Sequence, residues 1–334
     1  MNYALSWHLR RHGGEYHLPD DLAAALSLPA ARVSRELDEL ARNGFQLERH
    51  PTAGVRLLAG PPALDRDELS FARAGKRVGH TVRVYDETSS TNDVALRLAE
   101  AGSKTEGLVV VAESQTAGRG RLGASWFGSR AQSLLFSIVH WRPATPGSAG
   151  ELMLAAAVAV AEAMEHEASV RVGIKWPNDI EIARRKVAGI LVECPGRAAR
   201  SKDAARPAAP VAAPYVLGIG VNVNQSQDSF PPEIADQAGS LHLATGRLHD
   251  RTVLLERILD VLEGALDLLE RGGQDELLAR YMAHCEMVGR EVVVKEGRRT
   301  FSGRVESILP HFALVLRLDD GSHRSFDAAS VRLT

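Results

Sequence analysis

Arg119 and Arg121 lie two residues apart in the glycine-rich stretch SQTAGRGRLGASW, with Arg130 and Arg142 further on and no Asp or Glu between residues 114 and 150. Cations with no local carboxylate to neutralise them could hold an anion. Arginine offers phosphate or carboxylate a planar fork of donors, and glycines let backbone N–H groups approach the same oxygens. Gly118 to Gly123 also fits G-x-G-x-x-G, the spacing of a dinucleotide-binding turn. That turn needs a strand before it, a helix opening on its last glycine and an acid roughly 20 residues on. Leu108–Ala112 supplies the strand, but Leu134–Val139 reads as another strand where the helix should be, and the acid is missing. A flexible loop between two strands remains, either an anion site or a solvated basic hairpin.

Three further stretches bear on that choice. Lys175-Trp176-Pro177-Asn178-Asp179 joins two strands and Lys186-Val187-Ala188-Gly189 begins the next; a Pro-Asn-Asp turn and a solvated lysine are ordinary features of connections. Gly218-Ile219-Gly220-Val221-Asn222-Val223-Asn224 is more pointed. Two glycines in a β-branched strand strip side chains from one face, which weakens the strand and often means that a ligand or another backbone lies against it. Ser89-Ser90-Thr91-Asn92-Asp93 precedes a helix, so its hydroxyls could cap that helix, bind a ligand, or do both.

The elements that must position these residues fall into three modules. The chain has 334 residues, an ordinary globular composition and a formal net charge of −2, so no global basic field draws it to nucleic acid or membrane. Cys194 and Cys285 are far apart and lack metal-ligand spacing, which predicts reduced thiols and a cytoplasmic location. The polar start excludes a signal peptide, and no apolar run is long enough to span a bilayer.

Residues 1–62 read as helix, helix, tight connection, helix and hairpin, a winged helix-turn-helix. Its third helix, Ala30 to Asn43, places Val33, Leu37 and Leu40 at i, i+4 and i+7. Arg32, Arg35 and Arg42 on that helix are available to DNA. Residues 1–67 nevertheless carry eight Lys plus Arg against nine Asp plus Glu, so DNA binding requires a local patch or a dimer, and a docking domain without an operator is the alternative. Residues 63–77 form a linker with a connecting helix. Residues 78–285 alternate strands and helices as one mixed α+β domain, interrupted at 195–214 by an Ala, Pro, Arg and Lys rich stretch read as a mobile hairpin insertion. Residues 286–334 are β-rich with the spacing of a small barrel.

Taken in order, SSTN, SQTAGRGRLGASW, KWPNDI, KVAGILVE and GIGVNVN, between a winged helix and a small barrel, resemble the bacterial biotin protein ligases of the bifunctional type, which also repress the biotin operon. The resemblance implies an α+β multidomain chain with a central mixed sheet of the biotin/lipoate ligase type and an SH3-like C-terminal barrel. It implies that biotin and MgATP condense to biotinyl-5′-AMP, and that biotin passes to a lysine of the biotin carboxyl carrier protein, a subunit of acetyl-CoA carboxylase. By the same resemblance Arg121 and Lys186 are catalytic, Lys175 assists at the phosphates, and Arg119 orders the loop over biotin. Ser90, Thr91 and Gln115, with the backbone of Gly118 and Arg119, would hold the ureido ring, and Gly218 and Gly220 would clear space for biotin. Trp126 would stack on adenine with Asn222 near its edge, and Asn178 and Asp179 would lie on the nucleotide side with its Mg2+.

One departure stands out: Ala124 occupies the place of a further loop arginine, which predicts a weaker hold on nucleotide. A homodimer of the adenylate-bound form, operator DNA as a second partner and no membrane contact complete what the resemblance implies. A lipoate protein ligase, a non-catalytic biotin sensor and a ligase whose winged helix no longer binds DNA are the competing readings.

Overall fold

The computed structural model describes residues 1–102, 105–145, 147–194, 212–328 and 331–333. Three short helices and a hairpin come first: α1 (Tyr3–Arg11), α2 (Pro19–Leu26), α3 (Ala30–Arg42), β1 (Gln46–His50) and β2 (Gly54–Ala59). The Asn2 side chain caps α1 by accepting from the Leu5 N–H at 3.1 Å, and Pro19, Asp20 and Asp21 open α2, where a missing N–H and negative charge are both tolerated. Val33, Leu37 and Leu40 of α3 bury their shared face against Leu5, Leu9, Leu22, Phe45 and Val55, a small core of its own. Gly54, at φ +95°, turns the hairpin so tightly against His17 that a Cβ there would meet the His17 carbonyl oxygen at 2.1 Å.

The stretch 63–77 is docked against the next module. Asp65 caps α4 (Arg66–Ala72), accepting from Glu68 N–H at 2.7 Å, and Leu69 and Arg73 are fully buried. Arg73 donates to Glu263 Oε2 at 2.9 Å and to the Val78 carbonyl at 2.9 Å, so the guanidinium is neutralised where it is buried.

The central module runs β3 (Val82–Thr88), α5 (Thr91–Ala101), β4 (Val109–Gln115), β5 (Ser133–Pro143), α6 (Ser148–Ala168), β6 (Gly173–Lys175), β7 (Asp179–Ile182), β8 (Arg185–Glu193), β9 (Ala212–Asn222), α7 (Leu241–Thr245), α8 (Arg251–Glu270) and α9 (Gln274–His284). Its seven strands are ordered β3-β4-β5-β9-β8-β7-β6, with β3 and β4 parallel and every other pair antiparallel. The sheet divides its residues by alternation. Val109, Val111, Leu134, Phe136, Leu217 and Ile219 join the core that contains α6 and α8, while Val110 and Val216 join a smaller cluster with Val94, Ala95 and Ala99 of α5. Helix α6 is buried on nearly all sides from Leu152 to Met164, as its almost unbroken Ala and Val content requires.

On the face that carries α5 the strands become small-sided. Ser137 pairs with Gly218, and Gly218 with Leu191; Gly220 lies between Leu135 and Gly189 in the neighbouring row. A hollow over the sheet results. Of the stretch read as an insertion, 195–211 lies outside the described residues, whereas Ala212 to Pro214 already belong to β9 and pair with β5.

The C-terminal module is an antiparallel five-stranded sheet, ordered β13 (His323–Phe326), β12 (Leu314–Leu318), β11 (Arg299–Ile308), β10 (Glu291–Glu296), β14 (Val331–Leu333). It is anchored by Phe312, whose ring meets that of Tyr281 edge-on at 5.1 Å and whose carbonyl accepts from Trp176 Nε1 at 3.2 Å. Helices α7 and α9 and strand β14 were not anticipated from sequence; each is short or weakly periodic and is held by tertiary packing. No helix among the described residues is long and apolar enough to cross a membrane, and Cys194 and Cys285 stand as thiols.

Candidate active site

The glycine-floored hollow is a cleft of about 310 Å3. It gathers Ser90, Thr91, Gln115, Arg119, Arg121, Trp126, Lys175, Asn178, Asp179, Lys186, Gly218 and Gly220, residues spread over 131 positions of chain, which the sheet brings together. Arg332 and Leu333 of β14 close it from the C-terminal module. Among its described lining residues five are cationic, Arg119, Arg121, Lys175, Lys186 and Arg332, and one, Asp179, is a carboxylate.

At one end lies an amide and hydroxyl corner. Ser90 occupies the N-cap position of α5, yet its side chain makes no cap bond; the cap comes from Gln115 on β4, whose Oε1 accepts from Thr91 N–H at 2.7 Å and Thr91 Oγ1 at 3.1 Å. The buried Ser90 hydroxyl is thereby left to the cleft, which disposes of the reading in which it merely caps the helix. Ser137 contacts Thr91 Oγ1 at 2.7 Å and Asn92 Oδ1 at 2.6 Å, extending the corner into the floor. Ser137 was not singled out from sequence, and Asn92 was read only within the SSTN motif without a role in the site. A serine inside an apolar strand was the signal for the first.

The two floor glycines, expected to clear space for a ligand ring, face protein side chains. A Cβ at Gly218 would lie 2.1 Å from Asn92 Oδ1, and one at Gly220 would lie 2.3 Å from Trp126 Cε2; Gly189 meets the same indole at 2.7 Å. Trp126 therefore rests on the floor. Its Nε1–H is buried with no partner among the described residues, and Lys186 Nζ stands 5.5 Å from the ring centroid. An unpaired buried donor is costly, so this one is poised for a ligand acceptor or a water.

The loop that joins β4 to β5, expected as flexible and short of carboxylates, is a laddered hairpin supplied with carboxylates from elsewhere. Thr116 and Ala117 N–H groups bond to the Thr88 and Ser89 carbonyls at 2.9 Å each, Trp126 N–H to Gly118 at 2.9 Å, and Gly120 N–H to Ala124 at 2.7 Å. The tip turns through Leu122 at φ 53° and Gly123 at φ 78°. Arg119 reaches Asp93 at 2.7 Å and Glu193 at 2.8 Å, tying the hairpin to α5 and β8; Arg130 pairs with Asp86 and Arg142 with Glu151. Asp86, Asp93 and Glu193 are distant in sequence and near in space, whereas Glu151 lies just nine residues beyond Arg142.

Arg121 differs. It donates Nη1 to Asn178 Oδ1 at 3.0 Å and Nη2 to the carbonyls of Ala328 and Val331, the latter at 3.0 Å, with no carboxylate in ion-pair contact among the described residues. Burial, with repulsion from Arg332 beside it, pulls its pKa below the usual guanidinium value against the opposing attraction of Asp179 and Asp327. A half-buried cation bonded only to neutral acceptors retains its full charge for an incoming anion. Lys186, by contrast, sits 2.6 Å from Asp179, and Lys175 lies 3.8 Å from Glu181. Asn178 also donates Nδ2 to the Ile190 carbonyl at 3.1 Å and accepts from the Ile190 N–H at 3.1 Å, so the Pro-Asn-Asp turn is tied to β8.

Two expected residues lie off the cleft. Asn222 is buried and accepts from Gln225 Nε2 at 3.0 Å, a bond made possible by the turn after β9, so it does not reach the cleft wall. Gly118 borders an adjoining hollow that shares Arg119, Gly120 and Ala124 with the cleft, and a Cβ there would strike the Trp126 carbonyl at 2.5 Å. Arg332 and Glu193 were missed, because nothing in their local sequence places a C-terminal strand or the end of β8 beside this loop.

Cationic groups converging on one carboxylate-poor cleft, next to a neutral hydrogen-bonding corner, suit a site that brings two anions together. Residues 84–200 match the biotin/lipoate A/B protein ligase family. The bifunctional ligase/repressor BirA of Bacillus subtilis is 30% identical over 317 residues, spanning 95% of this chain and 94% of that protein; its Escherichia coli counterpart is 28% identical over 92% and 89%. The biotin–[acetyl-CoA-carboxylase] ligase of Mycobacterium tuberculosis is 34% identical over 70% of this chain and 82% of that one. Among solved structures, the biotin protein ligase of Aquifex aeolicus in complex with biotin and ATP superposes with a TM-score of 0.61 at 26% identity, covering 76% of this chain and 98% of that one. The chain belongs to the biotin/lipoate A/B protein ligase family.

Proposed function

We propose that this protein is an ATP-dependent biotin protein ligase acting in the cytoplasm. A biotin carboxylate oxygen attacks the α-phosphorus of ATP and the bond to pyrophosphate breaks, leaving biotinyl-5′-AMP. The neutral Nζ of a lysine on the biotin carboxyl carrier protein then attacks the acyl carbon. AMP departs with the electron pair of the anhydride bond, and the new amide loses a proton to solvent. The observation that carries this reading is the convergence of Arg121, Lys175, Lys186 and Arg332 on a cleft with one carboxylate among its described lining residues. Two unit charges 4 Å apart repel by about 4 kcal/mol at an effective dielectric of 20, so joining a carboxylate to a phosphate requires such cations in place beforehand.

In this reading Arg121 and Lys186 neutralise the reacting oxygens and Lys175 assists at the leaving phosphates. Ser90, Thr91 and Gln115, with Arg119 beside them, select the ureido ring, while Gly218 and Gly220 make room for Asn92 and Trp126 at the floor. Trp126 offers its indole to adenine, and Asn178 and Asp179 take the nucleotide side. The nucleotide enters as MgATP. No described group of three or more acids, histidines or cysteines could hold a metal by itself, and one carboxylate, Asp179, faces the cleft; that donor set fits Mg2+ carried mainly by phosphates and water.

Incubation with biotin, MgATP and an apo carrier domain, followed by mass spectrometry, tests the reading. The expected result is a biotin-sized gain on the carrier that falls by about 100- to 1,000-fold in rate in Lys186→Ala and Arg121→Ala. No gain with wild-type protein that still binds biotin would overturn it in favour of a sensor, and acceptance of lipoate in place of biotin would favour a lipoate ligase.

A second role is supported by the N-terminal module. We read it as a winged helix-turn-helix that places α3 in a major groove, with β1 and β2 as the wing, and the C-terminal sheet as an SH3-like barrel. Arg32, Arg35 and Arg42 are exposed on α3, and Arg35 makes no ion pair among the described residues. A homodimer of the adenylate-bound form would present two such helices to a palindrome. Footprinting on such a site upstream of biotin genes, with and without adenylate, tests it; no protection at low salt leaves the enzyme alone.

A further inference from the structure

The loop Thr116–Gln132 carries Arg119, Arg121 and Trp126, leaving the sheet after Gln115 and re-entering it at Ser133. The β4–β5 ladder pairs as far as Ala112 and Leu135, and just beyond it one side chain bonds to both ends of the loop. Arg251, the first residue of α8, donates Nη1 to the Ser133 carbonyl at 2.7 Å and Nη2 to Glu113 at 2.8 and 3.1 Å. Glu113 lies on β4 two residues before Gln115, and Ser133 is the first residue of β5. The same guanidinium donates to the Pro62 carbonyl, and Glu113 Oε1 accepts from Leu64 N–H at 2.7 Å, so the connection from the N-terminal module ends on the same pair.

Helix α8 itself gives no reason for an arginine there. A cation in the first turn opposes the helix dipole, and Asp250 already supplies the cap by accepting from Thr252 N–H at 2.8 Å. The side chains of Arg251 and Glu113 are 4% and 5% exposed, so neither charge is tolerated without the other. A planar fork of five donors can take the Ser133 carbonyl, a carboxylate and the Pro62 carbonyl at once; the single ammonium of lysine cannot hold this geometry.

We propose that Arg251 and Glu113 are a positioning pair for the reaction, fixing the separation of the two ends of the loop and hence the placement of Arg121 and Trp126 over the glycine floor. Neither touches the cleft. The proposal rests on the ligase reading for its catalytic consequence, whereas its geometric content is independent of it.

The test compares wild type with Glu113→Gln and Arg251→Lys, and with Leu262→Ala, which removes a buried α8 side chain away from the loop. Limited trypsin digestion of the unliganded full chain, read by mass spectrometry, reports opening of 116–132 directly. Cleavage there should be about tenfold faster in both pair variants than in wild type and unchanged in Leu262→Ala at a matched loss of thermal stability. Single-turnover adenylate formation should fall by about 10- to 100-fold in the pair variants with little change in biotin KM. Unchanged loop cleavage in Glu113→Gln and Arg251→Lys, or equal effects in Leu262→Ala, would overturn the proposal. If wild type forms no adenylate, the ligase reading fails while the digestion still decides the clamp.

Discussion

Trp126 lies on Gly220: a Cβ on that glycine would sit 2.3 Å from the indole Cε2 and 2.4 Å from Nε1. Gly220→Ala should displace the ring. The expected cost in stability is small, about 1–3 kcal/mol for an overpacked contact, but nucleotide affinity should fall by about tenfold as the stacking surface moves. An ATP Kd equal to that of wild type by calorimetry would remove Trp126 from the nucleotide site.

Ala124 lines the cleft beside the hairpin tip, and its backbone closes that tip through the Gly120 N–H bond. Replacing its methyl group leaves those backbone bonds intact. Ala124→Arg should therefore lower the ATP KM and slow release of the adenylate by about tenfold, the effect of one charge-assisted bond. Identical KM and off-rate in the two proteins would mean that the departure from the usual arginine is neutral.

His249 gives the protein a pH dependence unrelated to the chemistry. Its Nε2 lies 2.8 Å from Thr245 Oγ1, and burial lowers its pKa from 6.5 to about 4, with Arg247 adding to the effect. The depressed folded value means that the unfolded chain binds this proton first. Stability present above pH 6.5 is lost as pH falls, and the loss is complete below about 4, reaching at most about 3 kcal/mol. Urea melts of wild type and His249→Gln at pH 7 and pH 5 should show a smaller drop in the variant. Equal drops would assign the pH dependence to other groups.

If α3 contacts DNA backbone through Arg35, then Arg35→Ala should weaken binding to specific and random duplexes alike. The slope of log K against log salt should decrease by about one. Weakening confined to the specific duplex would instead indicate a base contact.

The ends of Arg119 and Arg121 show how far the sequence reached. The loop, the flanking strands and the helix after SSTN were legible, because hydrophobic period and turn chemistry are local properties. The anionic partners of Arg119 were not, since Asp93 and Glu193 arrive from α5 and β8 through a strand order that no local pattern encodes.

By itself, then, the sequence determined which short segments are helix, strand or turn and the ordered motifs that place the chain in its family. Tertiary structure alone decided that Gly189 and Gly220 lie under Trp126, that Arg332 arrives from the last strand, and that Arg251 reaches both ends of the loop. The physical reason is range. Period and capping act over one or two turns of chain, whereas hydrogen bonds and ion pairs between residues more than 100 positions apart exist only once the sheet has set its register and buried its core.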